Sequence, residues 1–309
     1  MNFKVLFFSL LLFLILPLSA GPTIYGKLTV TIESQDLIEE TKTELVSNSS
    51  RLGLKGNIDL SQGLEGIYQA EYEIDPVDGI ADESKDRTLK QRNSFVGLKG
   101  EYGTLFVGTY DTAFKNSQNK IDLFNDLAGD IQNLFQGENR MKDFLGYTSP
   151  TLGGGFSVTL NAIKGTTDPD KDSIGDSKSY SLSYKTKLIF SSIAVDSSLK
   201  GYDSTRFSLQ IPLNKNQVGF IYQKSKELLS GKKENGFVVS FSRKTANHGT
   251  MKLQIAKSDM KIKSGKQISL GYDYDFNQHV KLLMFFTDLS GDPELEAKEI
   301  FALGFEYNF

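Results

Sequence analysis

The sequence predicts an all-β fold, an antiparallel β-barrel that crosses a membrane on its strands. Three observations carry this. Apolar and polar residues alternate through about 16 short segments, the period-two signature of strands with unlike faces. The apolar parity is rich in Phe and Tyr and nearly free of charge. The chain opens on an export signal and finishes on a strand that sets Phe301, Leu303, Phe305, Tyr307 and Phe309 on one face. A large soluble β-sandwich shares the alternation, but a terminal Phe standing in water fits it poorly.

The 309 residues carry a formal net charge of −3. Mean hydropathy is −0.28, which excludes a polytopic helical membrane protein. It does not exclude a barrel, whose strands average lipid-facing and water-facing residues to a polar mean. The charge gives no reason to expect a nucleic-acid partner. Lys4, the apolar run Val5–Leu16 and the small-residue end Pro17–Ala20 form a secretory signal peptide over residues 1–20. The run is about 12 residues, whereas a spanning helix needs roughly 20. Cleavage after Ala20 leaves 21–309 and removes Lys4, taking the charge from −3 to −4. Cysteine is absent, which excludes disulfides, thiolate metal sites and Cys nucleophiles.

The first mature strand sets Ile24, Leu28, Val30 and Ile32 against Tyr25, Lys27, Thr29, Thr31 and Glu33. The next sets Leu52, Leu54, Ile58 and Leu60 against Arg51, Lys55 and Asp59. After the turn Ser61-Gln62-Gly63, Leu64, Tyr68, Ala70, Tyr72 and Ile74 oppose Glu65, Gln69, Glu71 and Glu73. Residues 88–100 and 104–111 pair about the turn Glu101-Tyr102-Gly103. Residues 142–150 and 155–165 pair about Thr151–Gly154, and eight or more further segments repeat the pattern to the C-terminus. Short connections alternate with long ones at 35–49, 76–87, 111–142 and 165–179, as in a barrel with tight turns on one rim and loops on the other.

The segment Asp111–Lys142 is the long interruption. Within it, residues 119–135 have helical period. Ile121, Phe124, Ala128, Ile131 and Phe135 fall on one face, with Leu123, Leu127 and Leu134 beside them. Asp122, Asp126 and Asp130 recur every fourth residue as an acidic stripe. A loop this long with an apolar face is expected to fold into the lumen, rest that face on the wall and narrow the passage. Phe114, Phe124 and Phe135 are read as core contacts rather than as an aromatic track for a specific solute.

Other motifs carry no chemistry. Residues 168–177 space Asp like a calcium loop but lack its Gly and Glu. His248 and His279 stand far apart in sequence with no nucleophile marked beside them, so catalytic residues, metal and cofactors are all expected to be absent.

The segments TIYGKL, SRLGLKG, RNSFVGLKG with EYGTLFVGTYD, DFLGYTSP and the closing GFEYNF resemble, in order, those of Gram-negative general diffusion porins. The loop tip LAGDIQNLFQGENR departs from the Gly-rich tip of the best-known members. The resemblance implies a 16-stranded homotrimeric barrel of the outer membrane whose third loop folds inward. It implies a water-filled, weakly selective channel for ions and small hydrophilic solutes; a substrate-specific pore or a surface adhesin is the alternative. It implies contact with outer-membrane lipid and lipopolysaccharide, and recognition of the terminal strand with Phe309 by the barrel-insertion machinery. By motif position it places the basic side of the constriction at Lys27, Arg51, Arg92 and Arg140. The facing acids would be Asp122, Asp126 and Asp130, with Glu138 beside them. Strand parity supports Lys27 and Arg51; it is less clean at Arg92 and Arg140, and Arg51 or Arg92 could instead pair with Glu71 or Glu73. The acidic stripe and a mature charge of −4 lean toward cations, against four wall bases.

Overall fold

The computed structural model describes residues 21–36, 40–165, 172–292 and 298–309. Its strands are β1 (Thr23–Asp36), β2 (Thr41–Ser47), β3 (Arg51–Asp59), β4 (Glu65–Glu73), β5 (Lys90–Gln91), β6 (Ser94–Gly100), β7 (Gly103–Asp111), β8 (Arg140–Thr148) and β9 (Phe156–Lys164). There follow β10 (Ile174–Lys185), β11 (Phe190–Leu199), β12 (Tyr202–Leu213), β13 (Asn216–Glu227), β14 (Lys233–Lys244), β15 (Gly249–Ser258), β16 (Gly265–Asp275), β17 (Val280–Ser290) and β18 (Lys298–Asn308). All the pairings are antiparallel, and β18 returns to β1. β2 and β3 both pair with β1, and β5 and β6 both pair with β4. Each of these couples is one interrupted stave, so sixteen staves close the ring.

The burial pattern is inverted relative to a water-soluble protein. Large apolar side chains stand outside: Ile24, Leu54, Val96, Leu105, Ile193, Met251 and Phe301 are all exposed. Polar ones point inward and are buried, among them Ser192, Ser208, Ser240, Gln254, Ser269 and Thr287. That alternation suits a wall with lipid outside and water or a folded loop inside. No helix among the described residues is long and apolar enough to cross a membrane.

Two stretches expected to be loops extend the sheet instead. β1 continues to Asp36 and pairs with β2 across the expected 35–49 loop, and β10 starts at Ile174 inside the expected 165–179 loop. Apart from Leu45, Val46 and Ile174, both are polar on both parities there. A stave rising above the bilayer needs no apolar face, so alternation does not reveal it. The expected signal peptide, 1–20, lies outside the described residues, as does part of the calcium-like 168–177 stretch.

Among the described residues the barrel has no single central core. One buried cluster, Phe106, Met141, Phe144, Ile163 and Leu199, lies against the inner wall of β7–β9 and β11. Two more lie beneath the inward loop.

Candidate functional site: a loop-lined constriction

The chain leaves β7 at Asp111, enters the lumen and rejoins the wall at Arg140. The segment carries a short helix, α1 (Ala113–Asn116), capped by the Thr112 side chain, which accepts from Lys115 N. The helical period of 119–135 is not expressed as a helix. Asn119 (φ 51°) and Asp126 (φ 69°) turn left-handed, and only one 3₁₀ turn, Ile131–Asn133, forms in that stretch. Most of the expected apolar set is nevertheless buried: Ile121, Phe124, Ile131, Leu134 and Phe135 are all at 0% exposure, while Leu123, Leu127 and Ala128 are half-buried. Successive turns deliver the same side to the wall that a helix would.

Ile121, Ile131, Leu134 and Phe135 pack on Ile221, Val238, Ala256 and Met260; Phe124 packs edge-on to Phe285. Wall glycines admit this close approach. A Cβ on Gly219 would lie 2.7 Å from Ile121 Cγ2, one on Gly236 2.8 Å from Phe135 Cε1, and one on Gly271 2.9 Å from Phe124 Cε1. Inward-facing glutamines hold the loop backbone. Gln254 accepts from Leu123 N at 2.8 Å and donates to Gly129 O at 3.1 Å, while Gln267 donates to Gly129 O at 2.5 Å. Gln223 donates to Gln136 O at 2.8 Å.

The acidic residues separate into different roles. Asp126 reaches the wall bases: Arg51 Nη2 lies 2.6 Å and Lys27 Nζ 3.1 Å from its Oδ2, with Arg92 Nη2 4.0 Å from Oδ1. Burial would raise its pKa, but Lys27, Arg51 and Arg92 outweigh that and hold it well below the usual carboxylate range. Asp122 and Asp130 do not face the bases. Asp122 is buried and accepts from Phe124 N at 3.0 Å and Ile131 N at 3.2 Å, so it staples the loop to itself. Asp130 accepts from Gln132 N at 2.7 Å and Asp126 N at 2.9 Å. Burial, and for Asp130 the neighbouring Asp122, raises both, Asp122 to about 6. Glu138 also leaves the expected group. Its Oε1 accepts from Arg206 Nη2 at 2.7 Å and its Oε2 from Gln118 Nε2 at 3.2 Å.

The bases stay close to one another, and bulges help to place them. The β1 register slips by one residue between Lys27↔Arg51 and Val30↔Ser47, at Ser49 (φ 51°). The β4 register slips likewise between Gln69↔Phe95 and Tyr72↔Gln91, at Arg92 and Asn93. A third slip lies between Gly108 and Tyr110, opposite Asp143 (φ 49°) and below Arg140. Each extra residue flips the parity above it, which is why alternation is unclean around Arg92 and Arg140. Arg92 pairs with Glu71 at 3.0 Å and Glu73 at 2.7 Å, as the simpler reading allowed, while Arg51 takes the loop acid. Arg140 pairs with Asp111 at 3.1 Å and donates to Asn93 Oδ1 at 2.8 Å. Acids and bases therefore meet in direct contact rather than across an open gap.

Sequence reading missed Arg206, which is wholly buried at the loop base. Besides Glu138 it donates through Nε and Nη2 to Gln223 Oε1 at 2.9 and 2.7 Å, and it lies 4.4 Å over the Phe114 ring. An Arg on the inward parity of β12 was the available signal. His248 and His279, distant in sequence, line one cavity at the short-turn rim. The His279 ring nitrogens there face Asn308 O and the Gln278 amide.

The family model described as Gram-negative porin matches residues 16–293. The major outer membrane protein P.IA of Neisseria meningitidis serogroup C is 29% identical over 173 residues, 48% of this chain and 43% of that protein. P.IB of N. meningitidis serogroup B is 32% identical over 146 residues, 44% of this chain and 42% of that protein. The chain thus spans less than half the length of these curated relatives. The anion-selective porin of Comamonas acidovorans superposes with a TM-score of 0.79 at 21% identity, covering 94% of this chain and 99% of that one. OmpF of Salmonella typhi superposes at 0.77 and 16% identity, covering 93% and 97%.

Proposed function

The chain belongs to the Gram-negative porin family, and from that premise we propose that it is a passive, water-filled, weakly selective outer-membrane channel for ions and small hydrophilic solutes. The observation that carries this is the loop across the lumen. It is anchored by apolar contacts and glutamines on one side, and it leaves a charged cavity of about 630 Å³ on the other. Such a passage sorts solutes by size and by the charges they meet. It needs no catalysis, and we read the protein as a non-enzyme.

The lining leans basic. Arg51, Arg92, Lys115, Lys120, Arg140, Lys252 and Lys281 stand against Asp111, Asp122, Asp126 and Asp273. Glu71, Glu73 and Glu306 lie behind them and offset part of the excess. This favours a mild preference for anions, opposite to the lean toward cations that net charge suggests; net charge also counts loops far from the passage. The proposed selectivity residues are Lys27, Arg51, Arg92 and Arg140 with Asp126. We further propose a homotrimer. β4 and β7–β9 have 9 residues each and β10–β18 have 10–12, so one side of the wall is lower and fits contact with other copies.

The test is planar-bilayer recording of the purified protein. Large conductance steps, nearly linear in salt and grouped in threes, support the reading. Stable insertion without conductance would refute it and favour a surface adhesin.

A further inference from the structure

We propose that the inward face of β6–β8, on the short-turn side of Arg140, is a stacking platform for the rings of small neutral saccharides. Phe106 and Tyr110 stand on β7 two residues to either side of Gly108. Phe95 and Phe144 sit directly opposite that glycine on β6 and β8. The side chains of these residues meet over it. Ring centroids are 5.3 Å apart for Phe95–Phe106 and for Phe95–Tyr110, 4.9 Å for Phe106–Tyr110 and 5.7 Å for Phe106–Phe144. Glycines at neighbouring inward positions make room for the rings. A Cβ on Gly97 would lie 2.7 Å from Phe106 Cβ, and one on Gly146 2.7 Å from Phe144 Cε1.

The patch breaks the rule of polar side chains inside. A side chain on the inward parity has only the lumen to face, and water there calls for polar groups. Phe106 and Phe144 are buried and form the backing, while Phe95 and Tyr110 stand half-buried in front of them. The apolar side of the inward loop rests elsewhere, on Ile221, Val238, Ala256 and Phe285 across the lumen. The groups at the edge of the rings indicate the class of solute. Arg140 donates to Asn93 Oδ1 at 2.8 Å and pairs with Asp111 at 3.1 Å, and Asn93 donates to Asp111 Oδ2 at 3.1 Å. Asn93 precedes Phe95 by two positions, and Asp111 follows Tyr110. The charges there are matched, so the edge offers planar donors and acceptors with little net pull on an ion. A sugar ring has polarised C–H groups for the negative face of an aromatic ring. Its hydroxyls suit a few placed polar groups beside an apolar surface. A linear polyol has the hydroxyls without the ring face.

The inference rests on the channel reading and names a solute class within it. The test measures swelling of protein-loaded liposomes in dilute D-glucose and in dilute sorbitol, two neutral solutes of equal carbon number. Wild type is expected to admit glucose severalfold faster than sorbitol. The ratio of the two rates cancels changes in passage width and in the amount of inserted protein. Phe95→Leu with Tyr110→Leu keeps the patch apolar but removes its front rings, and is expected to bring the ratio close to that of a plain pore. Tyr110→Phe is expected to keep the wild-type ratio. Phe95→Leu alone is expected to lower it part way, and it serves if the paired variant does not insert. A ratio that the paired variant leaves unchanged overturns the proposal. So does a loss in Tyr110→Phe as large as in the paired variant, which would assign the effect to the hydroxyl. Ring-dependent block of the KCl current by benzoate, with the glucose ratio unchanged, would assign the patch to aromatic acids and overturn the saccharide. No swelling of wild-type liposomes in either solute would overturn the channel reading as well.

Discussion

Arg51 donates through Nη2 to Asp126 Oδ2 at 2.6 Å, joining the wall to the tip of a loop 75 positions further along the chain. Asp126 reaches it because its left-handed backbone turns the carboxylate toward β1 and β3. The contact closes one side of the passage and neutralises part of a basic cluster.

Asp126→Asn removes that compensation and leaves Lys27 and Arg51 facing the lumen. The zero-current potential across a KCl gradient is expected to move toward anions. A change of about 1 kcal/mol in the barrier would alter the permeability ratio by a factor of about five. Asp130→Asn, whose carboxyl serves backbone amides, is expected to move it little. Equal shifts from both would show that the tip acid has no special place in the passage.

The wall glycines set how close the loop lies. Gly219→Ile places carbon where Ile121 now sits, and Gly271→Leu does the same to Phe124, so the loop must lift. Because Gly219 and Gly271 face the lumen, the barrel itself is expected to survive with its strands intact. Single-channel recordings are expected to show a changed and noisier open level. Unaltered traces would mean that the loop does not gate the conducting path.

The barrel was legible because one physical constraint, lipid on one side and water on the other, writes a period-two pattern into each stave. The loop was legible as a buried apolar face. Its local geometry was not, since Ile121, Phe124, Ile131 and Phe135 satisfy a helix and a chain of turns equally well. Asn119 and Asp126, the residues that break the helix, are tolerant of positive φ but do not demand it. The site was legible at Lys27 and Arg51, on strands of regular alternation, and obscured at Arg92 and Arg140, where bulges shift the register. Asp122, Asp130 and Glu138 carry the right charge for a constriction, but local amide donors and Arg206 claim them. A periodic stripe says which residues share a face of an ideal helix; it does not say which partner each will meet.

Arg206 and Glu138 form a buried pair at the loop base, with the Arg side chain at 0% exposure. Removing one partner strands the other charge, so Arg206→Met alone is expected to cost about 3–5 kcal/mol. Arg206→Met combined with Glu138→Gln is expected to recover most of it. Unfolding midpoints of the two single variants and the double, in one detergent, give the coupling. Additive losses would mean that the two side chains act independently.

Asp122 makes loop docking depend on pH. Burial raises its pKa to about 6, against the opposing pull of the Ile131 and Phe124 amides and the Gln254 side chain. Once the loop is released, the group titrates near the ordinary value of about 3.9. The docked state therefore holds the proton more tightly. Its contribution is complete below about pH 4 and is lost as pH rises through about 6. Asp130, also raised by burial and by Asp122, acts in the same direction. Hydrogen-exchange protection of Ile131 and Leu134 amides, corrected for intrinsic rates, is expected to be greater at pH 5 than at pH 7.5. Asp122→Asn should flatten that difference without abolishing it, since Asp130 remains. Protection that is level across this range, or that rises with pH, would show that the amide donors win over burial and that the docked carboxylate is charged throughout.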